Sequence, residues 1–378
     1  MSTEPVSRAD VAPSDGPELP LVSLVLPIRN EERHIRDCLE RLIDQDYPHD
    51  RMEIIVVDGC SSDATRERIS ELQATAPPVV IRVLENPAGS VPPALNIGIR
   101  AARGEVIARM DGHTVPPRDY VRRCVEALAH SGAANVGGVV EPVGTSPMGE
   151  AVATATRHPL GVGDAKYRTG GGGYVDTVPF GTFRRRVFED VGLFDESMVR
   201  NQDYEMNVRI RAAGHDIYLD PSIRTTYFPR GDARSLWRQY FQYGWWRVET
   251  VRRHPRSLRW RQAVPPAFFF TLIALMLLAP IWWLAAWAWV ALLAVYATTV
   301  MAVSSAIAPG GRAPHLVAAA FFTMHVAFGL GFLVNLASGS RFPYRARAPA
   351  VPRLPASDGR STADAGIGQV SSVAGDAR

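Results

Sequence analysis

Asp111, Gly112 and His113 follow directly on a stretch at residues 105–110 (EVIARM) that reads as a buried strand. A carboxylate at the end of a buried strand, then glycine, then an imidazole, makes a compact clamp for a metal-bound diphosphate. Gly112 lets the backbone bend and approach a phosphate closely. Asp111 and His113 project toward the crevice beyond the carboxyl ends of the strands, where open α/β sheets bind ligands. The same pattern also serves as an ordinary turn, so its meaning depends on acids elsewhere. Two stand at comparable junctions: Asp58, at the end of EIIVV, and Asp203, opening an amphipathic helical pattern. At a helix start Asp203 reads either as an N-cap or as a base placed to take a proton.

The elements that must position these groups follow from periodicity. Residues 22–28 (VSLVLPI) read as a first buried strand, and Ile35, Leu39, Leu42 and Ile43 mark the helix after it. Strands at 53–57, 79–84, 105–110 and 135–141 alternate with helices from about 64, at 94–102 and at 120–129. That alternation predicts an α/β fold with a parallel, doubly wound sheet. Further on, Phe180-Gly181-Thr182 is expected to open a helix running through Phe188. The glycines at 170–173 read as a flexible lid or a plain surface loop, and 216–219 as a short strand.

The chain has 378 residues and a formal charge of +3, so it exceeds one ordinary core and carries no nucleic-acid footprint. Its three cysteines are scattered and form no ligand pattern. The first twenty residues lack the apolar core of a signal peptide and read as a disordered lead. A catalytic domain is expected at 21–233, a basic and aromatic membrane-proximal segment at 234–263, a transmembrane region of about three helices at 264–337, and a disordered tail at 338–378. Residues 264–307 contain no charged side chain, enough for two joined spans, and 316–336 would be a third. Arg252, Arg253, Arg256, Arg259 and Arg261 place the flank before the first span inside. Three spans then carry Arg341, Arg345, Arg347 and Arg353 outside, against the usual tendency. Two spans, with the first apolar stretch only re-entering, would avoid this; the long uncharged stretch favours three.

Four segments in order carry a resemblance: VLPIRNEE, EIIVVDGCSSDAT, ALNIGIRAARGEVIARMDGH and Asn201-Gln202-Asp203. Together they resemble a family 2 glycosyltransferase of the GT-A type, a Rossmann-like nucleotide-diphospho-sugar transferase domain. VDTVPFGTFRR and the C-terminal spans are most similar to the succinoglycan-type membrane-bound glucosyltransferases of exopolysaccharide assembly. The chain departs from the family pattern at Gly59, His113 and Gln202, each standing where an acid is usual. It also lacks the Gln-x-x-Arg-Trp motif of processive synthases, with Gln242 to Arg247 (QYGWWR) in that region.

The resemblance implies an inverting transfer from a nucleotide sugar, expected to be a UDP-sugar, to a lipid-linked (polyprenyl) saccharide at the cytoplasmic membrane face. It puts donor contacts at Pro27, Arg29, Glu31, Asp58 and Asp111, and makes Asp203 the general base. Asn96 either supports the diphosphate side or is a buried structural asparagine. Gly181, Thr182, Gln202, Gln242 and Arg247 fall on the acceptor or diphosphate side. Asp111 and His113 would hold a divalent metal, with Mn²⁺ favoured over Mg²⁺ because imidazole nitrogen suits later divalent ions. A polyprenyl-phosphate glycosyl transferase is the second enzymatic reading. A catalytically silent GT-A scaffold within a polysaccharide assembly complex is the non-enzymatic one.

Overall fold

The computed structural model of the protein describes residues 18–339 except Arg230 and Arg312. Most of the expected lead, the tail beyond Gly339 with Arg341, Arg345, Arg347 and Arg353, and Arg312 therefore lie outside the described residues. In chain order the elements are β1 (Val22–Ile28), α1 (Ile35–Ile43), β2 (Met52–Asp58), α2 (Thr65–Ala74), β3 (Val80–Glu85), α3 (Val91–Ala101), β4 (Val106–Arg109), α4 (Tyr120–Ser131) and β5 (Asn135–Pro142). Then come α5 (Pro147–Arg157), α6 (Pro159–Val162), α7 (Lys166–Thr169), β6 (Gly173–Tyr174), β7 (Thr182–Arg184), α8 (Arg186–Val191), α9 (Gln202–Ala212) and β8 (Ile217–Tyr227). Four long helices close the described chain: α10 (Ala233–Arg253), α11 (Trp260–Leu278), α12 (Trp283–Ile307) and α13 (Pro314–Ser338).

The strands form one sheet in the order β3-β2-β1-β4-β7-β5-β8-β6. Its first four strands are parallel, as the alternation predicts. The sheet is nevertheless mixed, because β7 runs antiparallel between β4 and β5, and β6 runs antiparallel on β8. The helix expected to open at Phe180 is thus a strand first. Thr182 and Phe183 favour extended backbone, and a slot between two strands satisfies their amides on both sides. Helix starts only at Arg186. The glycine run is no lid either: Gly170 ends α7 in the left-handed conformation, and Gly173 pairs with Leu219 at the sheet edge. β8 spans 11 residues rather than four, its register with β5 shifting between Gly138 and Val139.

Strand alternation splits the core into two layers. Leu24, Leu26, Ile54 and Val56 face α1, α2 and α4, while Val25, Ile55, Val57 and Ile107 face α3, α8 and α9. Helix α3 lies so close to the sheet that a side chain on Gly98 would run into Val25 and come within 3.2 Å of Val57 Cγ2. Asn96, on the same helix, is fully buried. Its amide donates to Phe194 O at 2.9 Å and Glu196 Oε1 at 2.8 Å, and its oxygen accepts from Phe194 N. Of its two readings, this is the structural asparagine: it ties α3 to the loop that leads toward α9.

α11, α12 and α13 are 19, 25 and 25 residues long and apolar enough to cross a membrane by length and composition. Gly98→Ala should destabilise the α/β domain by about 1–3 kcal/mol through overpacking, read as a lower midpoint of thermal unfolding in detergent. An unchanged midpoint would mean that α3 shifts freely on the sheet.

Candidate active site

The carboxyl ends of β1, β2 and β4 converge on one crevice. β1 delivers Pro27, Arg29 and Glu31. Asn30 between them holds φ +55°, its amide oxygen accepting from Ser62 N at 2.9 Å. Glu31 N donates to Thr65 Oγ1 at 2.8 Å, and Arg29 Nη1 donates to Gly89 O at 3.3 Å. At the end of β2, Asp58 is fully buried and accepts from Ser61 N, Ser61 Oγ and Arg66 Nε. It shapes its own turn, with Arg66 lying over it.

β4 is an apolar strand that ends in an arginine. Arg109 is 7% exposed, whereas the carboxylates it holds, Asp111 and Asp203, are 22% and 32% exposed. Its Nε and Nη2 donate to Asp111 Oδ1 at 3.3 and 3.0 Å, and its Nη1 pairs with Asp203 Oδ1. One buried cation therefore joins two acids 92 residues apart in sequence and leaves both facing the crevice. Burial alone would lower the Arg109 pKa, but Asp111 and Asp203 outweigh it and raise it. The Phe180 ring lies 5.9 Å from its Cζ, and its own N–H donates to Gly181 O at 3.1 Å. Sequence reasoning passed over Arg109; a charged residue closing a buried strand two positions before the acid was the available signal.

His113 Nδ1 lies 2.9 Å from Glu31 Oε1, so the β1 and β4 loops meet in an imidazole–carboxylate pair beside Asp111. Gly112 is needed here for room rather than for an unusual backbone angle: a Cβ would lie 2.8 Å from Ile28 Cγ2 and 3.3 Å from Glu31 Cγ. The expected reason for that glycine, a bend, is replaced by close packing of two loops. Among the described residues no group of three His, Cys, Asp or Glu side chains converges as a ready metal cage; Asp111 and His113 offer one carboxylate and one imidazole, with Glu31 engaged by the imidazole. Cys38 behind them is no ligand: burial, then Asp111, pushes its thiol up to about 12.

Asp203 is the second residue of α9 and does not cap it; Asn201 holds the cap position with φ +62°. The N-cap reading of Asp203 is therefore removed, and the carboxylate stands free of that duty at the positive end of the helix dipole. Gln202 is buried at the first position, Thr182 is buried in β7, and Gly181 packs against Asn135 and Phe183. Gln242 Oε1 accepts from Arg200 Nε at 3.2 Å. Arg247, on α10, stacks 3.8 Å over the Tyr204 ring, and its buried Nε and Nη1 have no hydrogen-bond partner. Burial holds its pKa below the ordinary value. Also on α10, Arg253 pairs with Asp195 at 3.2 Å and donates to Ser197 Oγ at 3.0 Å, bracing the loop before α9.

The sequence model of "Glycosyl transferase family 2" matches residues 23–192. The chain is 32% identical to the succinoglycan biosynthesis protein ExoA of Rhizobium meliloti, over 82% of this chain and 93% of that protein. It is 27% identical to a dolichyl N-acetyl-α-D-glucosaminyl phosphate 3-β-D-2,3-diacetamido-2,3-dideoxy-β-D-glucuronosyltransferase of Methanococcus voltae, over 68% and 81% of the two chains. In fold it is similar to the mannosyltransferase PcManGT of Pyrobaculum calidifontis, solved with GDP-Man and Mn²⁺. The TM-score is 0.60 at 21% identity, covering 85% of this chain and 88% of that one.

Arg109→Gln should cost about 3 kcal/mol or somewhat less, because it leaves two carboxylates without their shared cation. Adding Asp203→Asn should recover part of that loss, since one repelling charge is gone. A double-mutant cycle on unfolding measures the coupling; strict additivity would show that the pair is not energetically linked.

Proposed function

Since the chain belongs to glycosyl transferase family 2, we propose that it is an inverting, metal-dependent glycosyltransferase. In this reading it moves a sugar from a nucleotide-diphospho-sugar, a UDP-sugar by preference, to a lipid-linked saccharide at the cytoplasmic membrane face. The observation that carries the reading is the Arg109 bridge, which sets the diphosphate-side acid Asp111 and the base Asp203 across one guanidinium. The ExoA relative supports a role in exopolysaccharide assembly, and the dolichyl-linked substrate in the name of the Methanococcus relative supports a lipid-linked saccharide over a bare prenyl phosphate.

The acceptor hydroxyl attacks the anomeric carbon as its proton passes to an Asp203 oxygen, and the bond from that carbon to the diphosphate breaks. A single displacement inverts the centre, so no glycosyl-enzyme forms. Arg109 fixes the Asp203 carboxylate for this transfer without entering the crevice itself. Arg29 and Glu31 border the nucleotide, with Asp58 beneath them. Arg247, whose buried Nε and Nη1 have no hydrogen-bond partner, is the group this reading assigns to an acceptor phosphate, since buried donors left unsatisfied are costly. Asp111 and His113, with Glu31 behind the imidazole, would hold a divalent cation that compensates charge on the departing diphosphate. The nitrogen donor favours Mn²⁺ over Mg²⁺, the ion also present in the PcManGT complex.

Asp203→Asn should lower kcat by about 10²–10⁴-fold, the usual worth of a general base, with donor affinity by calorimetry unchanged. Turnover within a few-fold of the parent would remove Asp203 from the mechanism. Chelation should abolish transfer, with Mn²⁺ restoring it better than Mg²⁺, and His113→Asp should shift that preference toward Mg²⁺. Undiminished transfer in chelator would end the metal reading.

A further inference from the structure

Helix α13 is long and apolar enough to span a bilayer, yet along its whole length it packs on α5, α6 and α10 of the catalytic side. It also meets the second half of α12 at Val300 and through a 3.0 Å contact between Tyr296 Oη and His325 Nδ1. Near its start, Val317, Ala320 and Phe321 share an apolar cluster with Ala151, Val152 and Ala155 of α5 and Leu236 of α10. One turn on, His325 Nε2 lies 2.8 Å from Leu160 O in α6. In its second half, Gly331 meets the backbone of Phe241, and Gly244 of α10 meets that of Phe328, both too closely for a Cβ. At its end, Asn335 donates to Trp245 O at 3.0 Å and Glu249 Oε1 at 3.1 Å, and accepts from Arg252 Nη1 at 2.7 Å. The contacts ascend both helices together, so α10 and α13 run parallel, side by side.

α10 cannot cross a membrane. Its 21 residues include Arg234, Arg238, Arg247, Glu249, Arg252 and Arg253, and charged groups in a hydrocarbon core are strongly disfavoured. A helix locked along α10 shares its placement. α11 gives the same answer, because Gly329 packs against Pro265 and Phe269, in the first half of α11. The distal half of α11 and the start of α12, from Met276 through Trp287, carry exposed apolar side chains instead. Within the protein, 39% of the most apolar stretch of α13 is buried, against 6% for α11 and 11% for α12.

We infer that α13 does not cross the membrane. With α10 it forms a platform on the catalytic-side surface of the bilayer, and the α11–α12 hairpin is the one crossing pair among the described residues. The partner of the platform is the lipid headgroup–acyl boundary, met by exposed Phe322 and Leu336 and by Trp260 at the entry to α11. This placement leaves Ser338, at the end of α13, on the same side as Arg252, Arg253, Arg256, Arg259 and Arg261. The number of crossings stands apart from the proposed function; only the naming of the side as cytosolic rests on it.

The test uses the full chain with reporters at the N-terminus, at the C-terminus and inserted in the α11–α12 turn at Pro280. One reporter is active only outside the cytosol and the other fluoresces only within it. The expected result is both termini on one side and the turn on the other. Termini on opposite sides, or a turn on the same side as both, would overturn the inference. Both termini outside, with the turn inside, would uphold two crossings while removing the cytosolic reading of the active site. A second measurement avoids fusions: in a Cys60→Ser background, Ser338→Cys should resist an impermeant maleimide on intact cells and react after lysis. Labelling of intact cells with an inside N-terminus would overturn the two-crossing placement.

Discussion

A guanidinium buried at the end of a central strand is the constraint around which the site is arranged. A charge at the Arg109 position is tolerated only if its donors find acceptors, because an unpaired buried cation is far more costly than a paired one. Asp111 is the local answer, two residues on. Asp203 is the distant one, and reaching it requires the β7 insertion, the α8 turn and the start of α9 to be folded. The demand of one side chain for neutralisation thus links the order of the sheet to the placement of Asp203. Lysine offers one ammonium where arginine offers a planar fork, so a fork is what spans two acids at once.

Backbone geometry reinforces this. Six non-glycine residues among those described hold positive φ, and four of them, Asn30, Cys60, Phe180 and Asn201, stand in the loops that line the crevice. Such conformations are disfavoured by side chains and persist where surroundings over-determine them. Asn30 is held by Ser61 and Ser62, and Asn201 by the Tyr243 carbonyl at 3.3 Å. Strain at the strand ends, over a relaxed core of Val, Leu and Ile, is the expected distribution for a preorganised site.

Much of this was legible in the sequence, for reasons of periodicity. β1, β2 and β4 are buried on both faces, so their apolar runs stand out, and the acids that end them mark the crevice. Asp111 and Asp203 could be chosen as chemistry because each closes or opens an element. What could not be read was pairing at a distance. Nothing local tells that Thr182 and Phe183 slot between β4 and β5, since their hydrogen-bond partners lie 46 or more residues away. Nothing local tells that Glu31 meets His113 across 82 residues, or that Asn96 spends its amide on Phe194. Arg109 was visible as a type but not as a bridge, because its second partner comes from another part of the chain. Composition likewise showed three apolar helices without showing which of them has protein neighbours.

Asn335 donates to Glu249 and accepts from Arg252, Glu249 pairs with Arg253, and Arg253 pairs with Asp195, a continuous brace from the last apolar helix to the loop ahead of α9. The boundary that composition draws near residue 264 is therefore not a mechanical boundary. Cutting there would strip α10 of the partner that covers Gly244 and Trp245 and would release one end of the strut that reaches the loop ahead of Asp203. The α/β domain and the apolar helices are therefore packed and paired as one body.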